Sequence, residues 1–330
     1  MKYDFIAIGD VVTDAFIRLL PESAELQDGP EKKLCFLFGE KVPFENSYVI
    51  PAVGNSANAA VAASRLGLST AFVTNIGDDR AGEETIERLK TENIITDYVI
   101  KQKGKVTNYH YVLWYQDDRT ILIKHEAYEY HLPALDEPRW IYFSSVGAGA
   151  LRYHDEVVAY MQAHPNVKLA FQPGTFQIKQ GAKGLADVYK HSEIIMCNRE
   201  EAQAILGIQD SDIATLARAM HMLGPKIVVI TDGVKGAYAS QGGMIWFMRN
   251  YPDPKPPYER TGAGDAFSST LVVALALGKS LEEALMWAPI NSMSVVQYIG
   301  AQQGLLRKSA LERYLASAPR DYKPVVFAKI

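Results

Sequence analysis

Near the C-terminal end of the chain, Glu259-Arg260-Thr261-Gly262-Ala263-Gly264-Asp265-Ala266-Phe267 joins a turn of small residues to an apolar helical pattern. Gly262, Ala263 and Gly264 carry almost no side chain, so a ligand can come close to their backbone N–H groups. The helix that follows turns the positive end of its dipole to the same place. An anion held there would lie beside Asp265, the first carboxylate of the helix. Such a pairing suits phosphoryl transfer: the amides stabilise charge on the moving group, and the carboxylate accepts a hydroxyl proton. The competing reading is a Gly-rich loop in which Asp265 only caps a helix.

A second group of residues lies in the N-terminal half. Gly9-Asp10-Val11-Val12-Thr13-Asp14 closes a first apolar strand, and Val53-Gly54-Asn55-Ser56-Ala57-Asn58 opens the first long helical pattern. Ligand groups gather at such strand ends and helix starts in open α/β sheets. Asp14 can accept hydrogen bonds from vicinal hydroxyls, Asn58 can donate and accept, and Gly54 lets the backbone approach a sugar-sized ligand. Taken singly, Asp14 reads equally well as a turn residue and Asn58 as a polar residue of a first helical turn.

These groups need a scaffold, and the chain alternates short apolar runs with helical patterns. Strands are expected at 5–9, 70–76, 140–145, 168–172, 194–197 and 226–231. Helices are expected at 56–66, 82–92, 155–163, 199–206, 213–223, 264–277 and 281–298. The alternation predicts an α/β fold with a doubly wound, mostly parallel sheet. Two stretches break the rhythm. Residues 15–50 hold Phe36-Leu37-Phe38 and Ser47-Tyr48-Val49-Ile50, and residues 98–127 hold Thr107 to Tyr115 and then Thr120-Ile121-Leu122-Ile123 after an Asp117-Asp118 turn. With no crossover helices, they predict a small antiparallel β lid inserted into a main domain of residues 1–14, 51–97 and 128–330.

Composition narrows the class. The chain has 330 residues, 48% hydrophobic and 22% charged, ordinary for a globular protein, and its net charge of −4 gives no reason to expect nucleic acid or an acidic membrane surface. Two distant cysteines, Cys35 and Cys197, make neither a disulfide scaffold nor a Cys-rich zinc site. No apolar run reaches the ~18 residues of a spanning helix. The opening Met1-Lys2-Tyr3-Asp4-Phe5 lacks a signal-peptide core. The expected location is the cytoplasm.

In order and spacing, these stretches resemble the ribokinase-like (PfkB) carbohydrate kinase family. Gly54 to Asn58, running on to Arg65-Leu66-Gly67, is similar to the first family signature, and Ile76-Gly77-Asp78-Asp79-Arg80-Ala81-Gly82 to the segment after it. Asn198-Arg199-Glu200-Glu201 resembles the N-x-x-E motif, Thr231-Asp232-Gly233-Val234-Lys235-Gly236 the nucleotide loop, and Thr261 to Asp265 the second signature. The resemblance implies an ATP-dependent kinase acting on an alcohol of a sugar, sugar phosphate or nucleoside. It makes Asp265 the base and the amides of Gly262, Ala263 and Gly264 the anion hole. Asn198 and Glu201 would place magnesium and the phosphates, Glu201 through water. Thr231, Gly233 and Gly236 would line the nucleotide site, with Asn291 near the base. Asp14, Gly54, Asn55 and Asn58 would hold the substrate.

The chain departs from the family pattern in places. Val53 replaces the first of two glycines, which narrows the approach to the sugar. Glu259-Arg260 stands where Asp-Thr is common, in a loop that in parts of the family contributes to a monovalent-cation site, and so puts potassium activation in question. Phe171-Gln172-Pro173-Gly174 offers no familiar substrate clue. For the acceptor, Tyr109, Tyr111 and Tyr115 alternate with His110 and Trp114 on the lid strand, so one aromatic face could stack a nucleobase, bury the lid or pair it with a second subunit as a homodimer. Lys33, Lys41, Lys103, Lys105, Arg119 and Lys124 could serve a phosphosugar or be solvated. His125 and His131 are expected on the surface or in lid packing. A catalytically silent sugar- or nucleotide-binding regulator is the alternative from another class, while the absence of G-x-G-x-x-G after the first strand disfavours a dinucleotide oxidoreductase.

Overall fold

The computed structural model describes residues 2–29, 32–116 and 118–330. The chain begins with β1 (Tyr3–Ile8), β2 (Val12–Leu19), β3 (Glu25–Gln27), β4 (Lys33–Cys35) and β5 (Phe44–Val53), then α1 (Asn55–Arg65), β6 (Thr70–Gly77) and α2 (Arg80–Thr91). Next come β7 (Val99–Gln102), β8 (Tyr109–Tyr115), β9 (Asp118–Lys124), β10 (Pro138–Phe143), α3 (Leu151–Ala163), β11 (Lys168–Phe171), α4 (Thr175–Gly184) and α5 (Ala186–His191). The C-terminal part adds β12 (Ser192–Asn198), α6 (Arg199–Leu206), α7 (Ile213–His221), β13 (Ile227–Thr231), β14 (Ala237–Gln241) and β15 (Met244–Met248). It ends with α8 (Ala263–Ala276), α9 (Leu281–Val295), α10 (Lys308–Ala316) and β16 (Val325–Lys329).

Ten strands make one sheet in the order β16-β15-β14-β13-β12-β11-β10-β1-β6-β7. From β7 to β13 every pair is parallel, and the β14, β15 and β16 edge is antiparallel. Both faces are covered, which is why β1 reads as a nearly unbroken apolar run. Phe5 and Ala7 face a core shared with α1, α8 and α9, whereas Ile6 and Ile8 face one shared with α3, α5 and α7. The two-residue period of the strand sends alternate side chains to the two layers. α8 is buried almost all round and packs between α1 and α9, so the helix that begins at Ala263 is held rigidly.

The lid is a four-stranded sheet in the order β5-β2-β8-β9, with β5-β2 and β8-β9 antiparallel and β2-β8 parallel. Two expectations need correction here. Val99–Gln102, assigned above to the lid, adds to the main sheet as β7 against β6, because the chain has not yet left the main domain. Phe36-Leu37-Phe38 forms no strand: it follows β4 as an exposed turn, with Phe38 fully open to solvent. Asp117 of the expected Asp117-Asp118 turn lies outside the described residues, and Asp118 begins β9.

Candidate active site

The carboxyl ends of β1, β11, β12 and β13 deliver Asp10, Gln172, Asn198 and Thr231 to one edge of the sheet, and α8 starts above the same edge. Gly262, in the left-handed region at φ 81°, precedes α8 as its cap. A Cβ there would stand 2.3 Å from the Ala301 Cβ, so the turn needs glycine on both conformational and spatial grounds. Ala266 N–H donates to the Gly262 carbonyl, closing the first turn. The amides of Ala263 and Gly264 have no acceptor among the described residues. Gly264 has open space where a side chain would be. Two unengaged amides stand at the head of a fourteen-residue helix, where an anion would be favourably placed.

Asp265 lies one residue further on. Asn58 Nδ2 donates to its Oδ2 at 2.8 Å and Gln172 Nε2 to its Oδ1 at 3.0 Å. Gln172 is in turn fixed by the hydroxyl of Tyr142, which donates to Gln172 Oε1. Asn58 Oδ1 accepts from Gln302 Nε2 at 3.0 Å. Both oxygens of Asp265 thus face amide donors, an environment made for a carboxylate rather than an amide. Burial pushes its carboxyl above the usual range, the two amide donors pull the other way, and the nearby Asp14 charge adds to the upward push. A carboxylate so raised is a better base than one in water.

Asp265 lines a cavity of about 220 Å³ together with Asn55, Gln172, Asn198, Glu201, Gly262 and Gly264. A second cavity, of about 340 Å³, shares Thr231, Arg260, Ala263 and Gly264 with the first and continues over Gly233, Gly236, Phe267 and Met293. The anion turn forms the floor where the two meet. Arg260 lines both. Asn198 and Glu201 form a capping box at the start of α6: Glu201 N–H donates to Asn198 Oδ1 and Asn198 N–H to Glu201 Oε2, each at 2.8 Å. Burial, with Asp265 nearby, holds the Glu201 carboxyl above its usual range.

A family model described as "pfkB family carbohydrate kinase" matches residues 27–308. The chain belongs to that family. It is 27% identical to a ribokinase of Bacillus subtilis over 285 residues, covering 84% of this chain and 92% of that one. The pfkB fold is equally plain in solved structures. Arabidopsis thaliana ribokinase complexed with ribose and ATP superposes with a TM-score of 0.78 at 20% identity, covering 96% of this chain and 99% of that one. A nucleoside kinase of Methanocaldococcus jannaschii superposes with a TM-score of 0.77 at 17% identity and the same coverage. Fold is all that these two likenesses carry.

Of the residues singled out from sequence, Asn55, Asn198, Glu201, Thr231 and Gly262 to Asp265 line the first cavity, and Thr231, Gly233 and Gly236 the second. Asp14 is close enough to Asp265 to act on its charge. Gly54 caps α1 at φ 115°, with the Asp10 carbonyl 3.0 Å from where a Cβ would be. Asn58 is engaged by Asp265 and Gln302 at both ends of its amide. Asn291 is a correction. It is fully buried between α8 and the chain before α10, donating to Thr270 Oγ1 and accepting from the Leu306 N–H, each at 2.8 Å. From the same helix it is Pro289, Ser292 and Met293, with Val296 just after its end, that line the larger cavity.

Several residues carry more than their sequence suggested. Gln172 sits in the segment that offered no clue, yet it orients Asp265. His125, expected on the surface or in lid packing, stands with its Nδ1 3.7 Å from Asp10 Oδ2. Arg119 is the one lid cation among those named above that lines either cavity. On the tyrosine face of β8 Tyr111 is half exposed but Tyr115 is buried, its hydroxyl donating to the Pro21 and Ala24 carbonyls, while His110 on the opposite face lies 3.3 Å from Asp14 Oδ1. Only tertiary pairing decides which of two alternating faces looks inward.

Proposed function

We propose that this carbohydrate kinase uses ATP to phosphorylate a hydroxyl of a sugar, with Asp265 as the base and the amides of Gly262, Ala263 and Gly264 as the anion site. The observation that carries the reading is a buried carboxylate held by two amide donors at the head of a helix whose first amides have no protein partner, where two cavities meet. In this reading the nucleotide occupies the larger cavity over Thr231, Gly233 and Gly236, and its phosphates reach the turn. The acceptor approaches from the side of Asp14 and Gly54. Asp265 takes the hydroxyl proton as the oxygen attacks in line, and the α8 amides stabilise the charge on the transferred group. The lid excludes water that would otherwise receive the phosphoryl group.

Among the described residues no three His, Cys, Asp or Glu side chains cluster as a metal site. The buried Glu201, short of positive charge, fits a magnesium ion held mainly by phosphate oxygens and water, with Asn198 beside it. That ion would supply neutralisation of phosphate charge. Asp265→Asn tests the assignment: turnover should fall about 10²–10⁴-fold while ADP binding persists. Unchanged turnover would remove Asp265 from its role. A silent binder has no use for a base in this position and would show no ATP-dependent product at all.

The outer face of the lid supports a second proposal, that two copies pair there. Val49, Tyr111 and Leu122 form an exposed row across the sheet, each at least 48% exposed. Sedimentation should give twice the monomer mass at micromolar concentration, and Tyr111→Asp should halve it; a monomeric wild type refutes the pairing.

A further inference from the structure

Beyond Asp265, a chain of polar side chains runs along the inner face of the lid. Asp14 on β2 and His110 on β8 are register partners, with His110 Nδ1 3.3 Å from Asp14 Oδ1. The ring of His110 lies 5.2 Å from that of His125, whose Nδ1 is 3.7 Å from Asp10 Oδ2. Asp10 is itself fixed by Tyr130, whose hydroxyl donates to both its oxygens. Phe176 of α4 stands edge-on to His125. Asp14 Oδ1 and His125 Nδ1 each face an ionisable partner, at 3.3 and 3.7 Å, without making a hydrogen bond, and His110 Nε2 is sealed from solvent with no partner at all. Buried polar atoms are almost always paired. A ring nitrogen left without a partner, on an imidazole whose other nitrogen faces Asp14 and so the neighbourhood of Asp265, is where an acceptor hydroxyl would supply one.

We propose that His110 and His125 select the acceptor, each oriented by its own carboxylate, and that the acceptor is an uncharged polyhydroxyl compound rather than a sugar phosphate. The inference rests on the kinase reading above and names its substrate class. The chemistry of the donor set decides the charge. Asp10, Asp14 and Asp265 give this side of the site three carboxylates, and no lysine or arginine among the described residues pairs with any of them. Each imidazole has an aspartate against it, so neither offers a free cation to a phosphate. A phosphorylated acceptor would meet like charge, whereas hydroxyls can both donate to the carboxylates and bond the ring nitrogens. Ile123, the β9 partner of His110 and 62% exposed, adds an apolar surface for the carbon face of a sugar.

The test separates binding from turnover. Calorimetry on the wild-type protein without nucleotide, with D-ribose, D-fructose and D-glucose against D-ribose 5-phosphate and D-fructose 6-phosphate, should find an uncharged sugar that binds at least about tenfold tighter than the phosphorylated ones. His110→Ala and His125→Ala should each weaken that sugar about tenfold, with ADP affinity unchanged as the check on folding, and His110→Gln should recover part of the loss. A phosphorylated sugar that binds as tightly as any uncharged one, no binding by any of the uncharged sugars, or alanine variants with unaltered sugar affinity would each overturn the assignment. Sugar binding that depends on both histidines without ATP-dependent product would uphold it and sink the kinase reading instead.

Discussion

The two sides of the cleft are built differently. The proposed phosphoryl side is backbone: a left-handed glycine, two unengaged amides and a helix start, arranged by the consecutive residues Gly262, Ala263 and Gly264 and a rigid helix. The proposed acceptor side is made of side chains, with Asp14, His110, His125 and Asp10 drawn from separate stretches and brought together by the pairing of β2 with β8 and of β8 with β9. Backbone anion sites are indifferent to what carries the phosphate, because every phosphate looks alike to an N–H group. Side-chain sites discriminate. On the proposed reading, the chemistry lies in a local, sequence-contiguous element and the selectivity in a non-local one.

The largest effect that would break this division is loss of the base. Asp265→Asn removes the proton acceptor and also sets an amide hydrogen against one of two amide donors, Asn58 or Gln172. The 10²–10⁴-fold fall in kcat set out above should therefore come with little change in nucleotide affinity, measured by ADP titration. A comparable loss of ADP binding would mean that the phosphoryl side is not independent of the side chain at 265.

Next in size is the backbone itself. Gly262→Ala places a methyl group 2.3 Å from the Ala301 Cβ and demands φ 81° of an L side chain. Strain of about 1–3 kcal/mol follows, released by shifting the turn. Turnover should fall sharply while acceptor affinity holds, since Asp14 and His110 lie on other elements. If calorimetry finds sugar binding lost together with catalysis, the two sides are coupled and the contrast fails.

These experiments also bear on what the residues alone could tell. Alternating apolar runs gave the parallel sheet because strands buried on both faces leave that signature, and the small-residue turn before Asp265 was readable because its whole geometry is local. Gln172 was not readable: its role depends on the end of β11 standing beside the start of α8, ninety-three residues later. Nor could the faces of β8 be ordered, since the strand is aromatic on both sides and register with β2 alone turns His110 inward. Asn291 misled for the opposite reason. A polar residue on a late helix looked like a ligand contact, but it satisfies Thr270 and the Leu306 amide inside the core.

Gln172→Leu should sharpen the account of the base. The variant deletes one donor to the ionised carboxylate, and the donor favours the charged form, so the Asp265 carboxyl should rise further. Only the ionised form accepts a proton, hence activity lies above that value and falls as pH drops through it. The acid limb of kcat/KM should move to higher pH by about one unit, the worth of a hydrogen bond to a charged group. An unmoved limb would assign it to another group, with Glu201, also raised by burial, the first to test.

The smallest effect expected is that of potassium. Glu259 stands in the loop before the anion turn, and its buried carboxylate is already occupied. Oε1 accepts from the N–H of Thr261 at 2.7 Å and from its hydroxyl at 2.5 Å, Oε2 accepts from the Gly300 N–H at 3.3 Å, and Arg119 reaches to 3.9 Å from the lid. A carboxylate with both oxygens engaged and a guanidinium beside it gains little from a further monovalent cation. Exchanging potassium for sodium at constant ionic strength should leave the rate unchanged. Potassium dependence that appears only in Arg119→Ala would show the lid arginine taking the place of the ion; dependence in the wild type would show that the loop rearranges when the phosphoryl side is occupied.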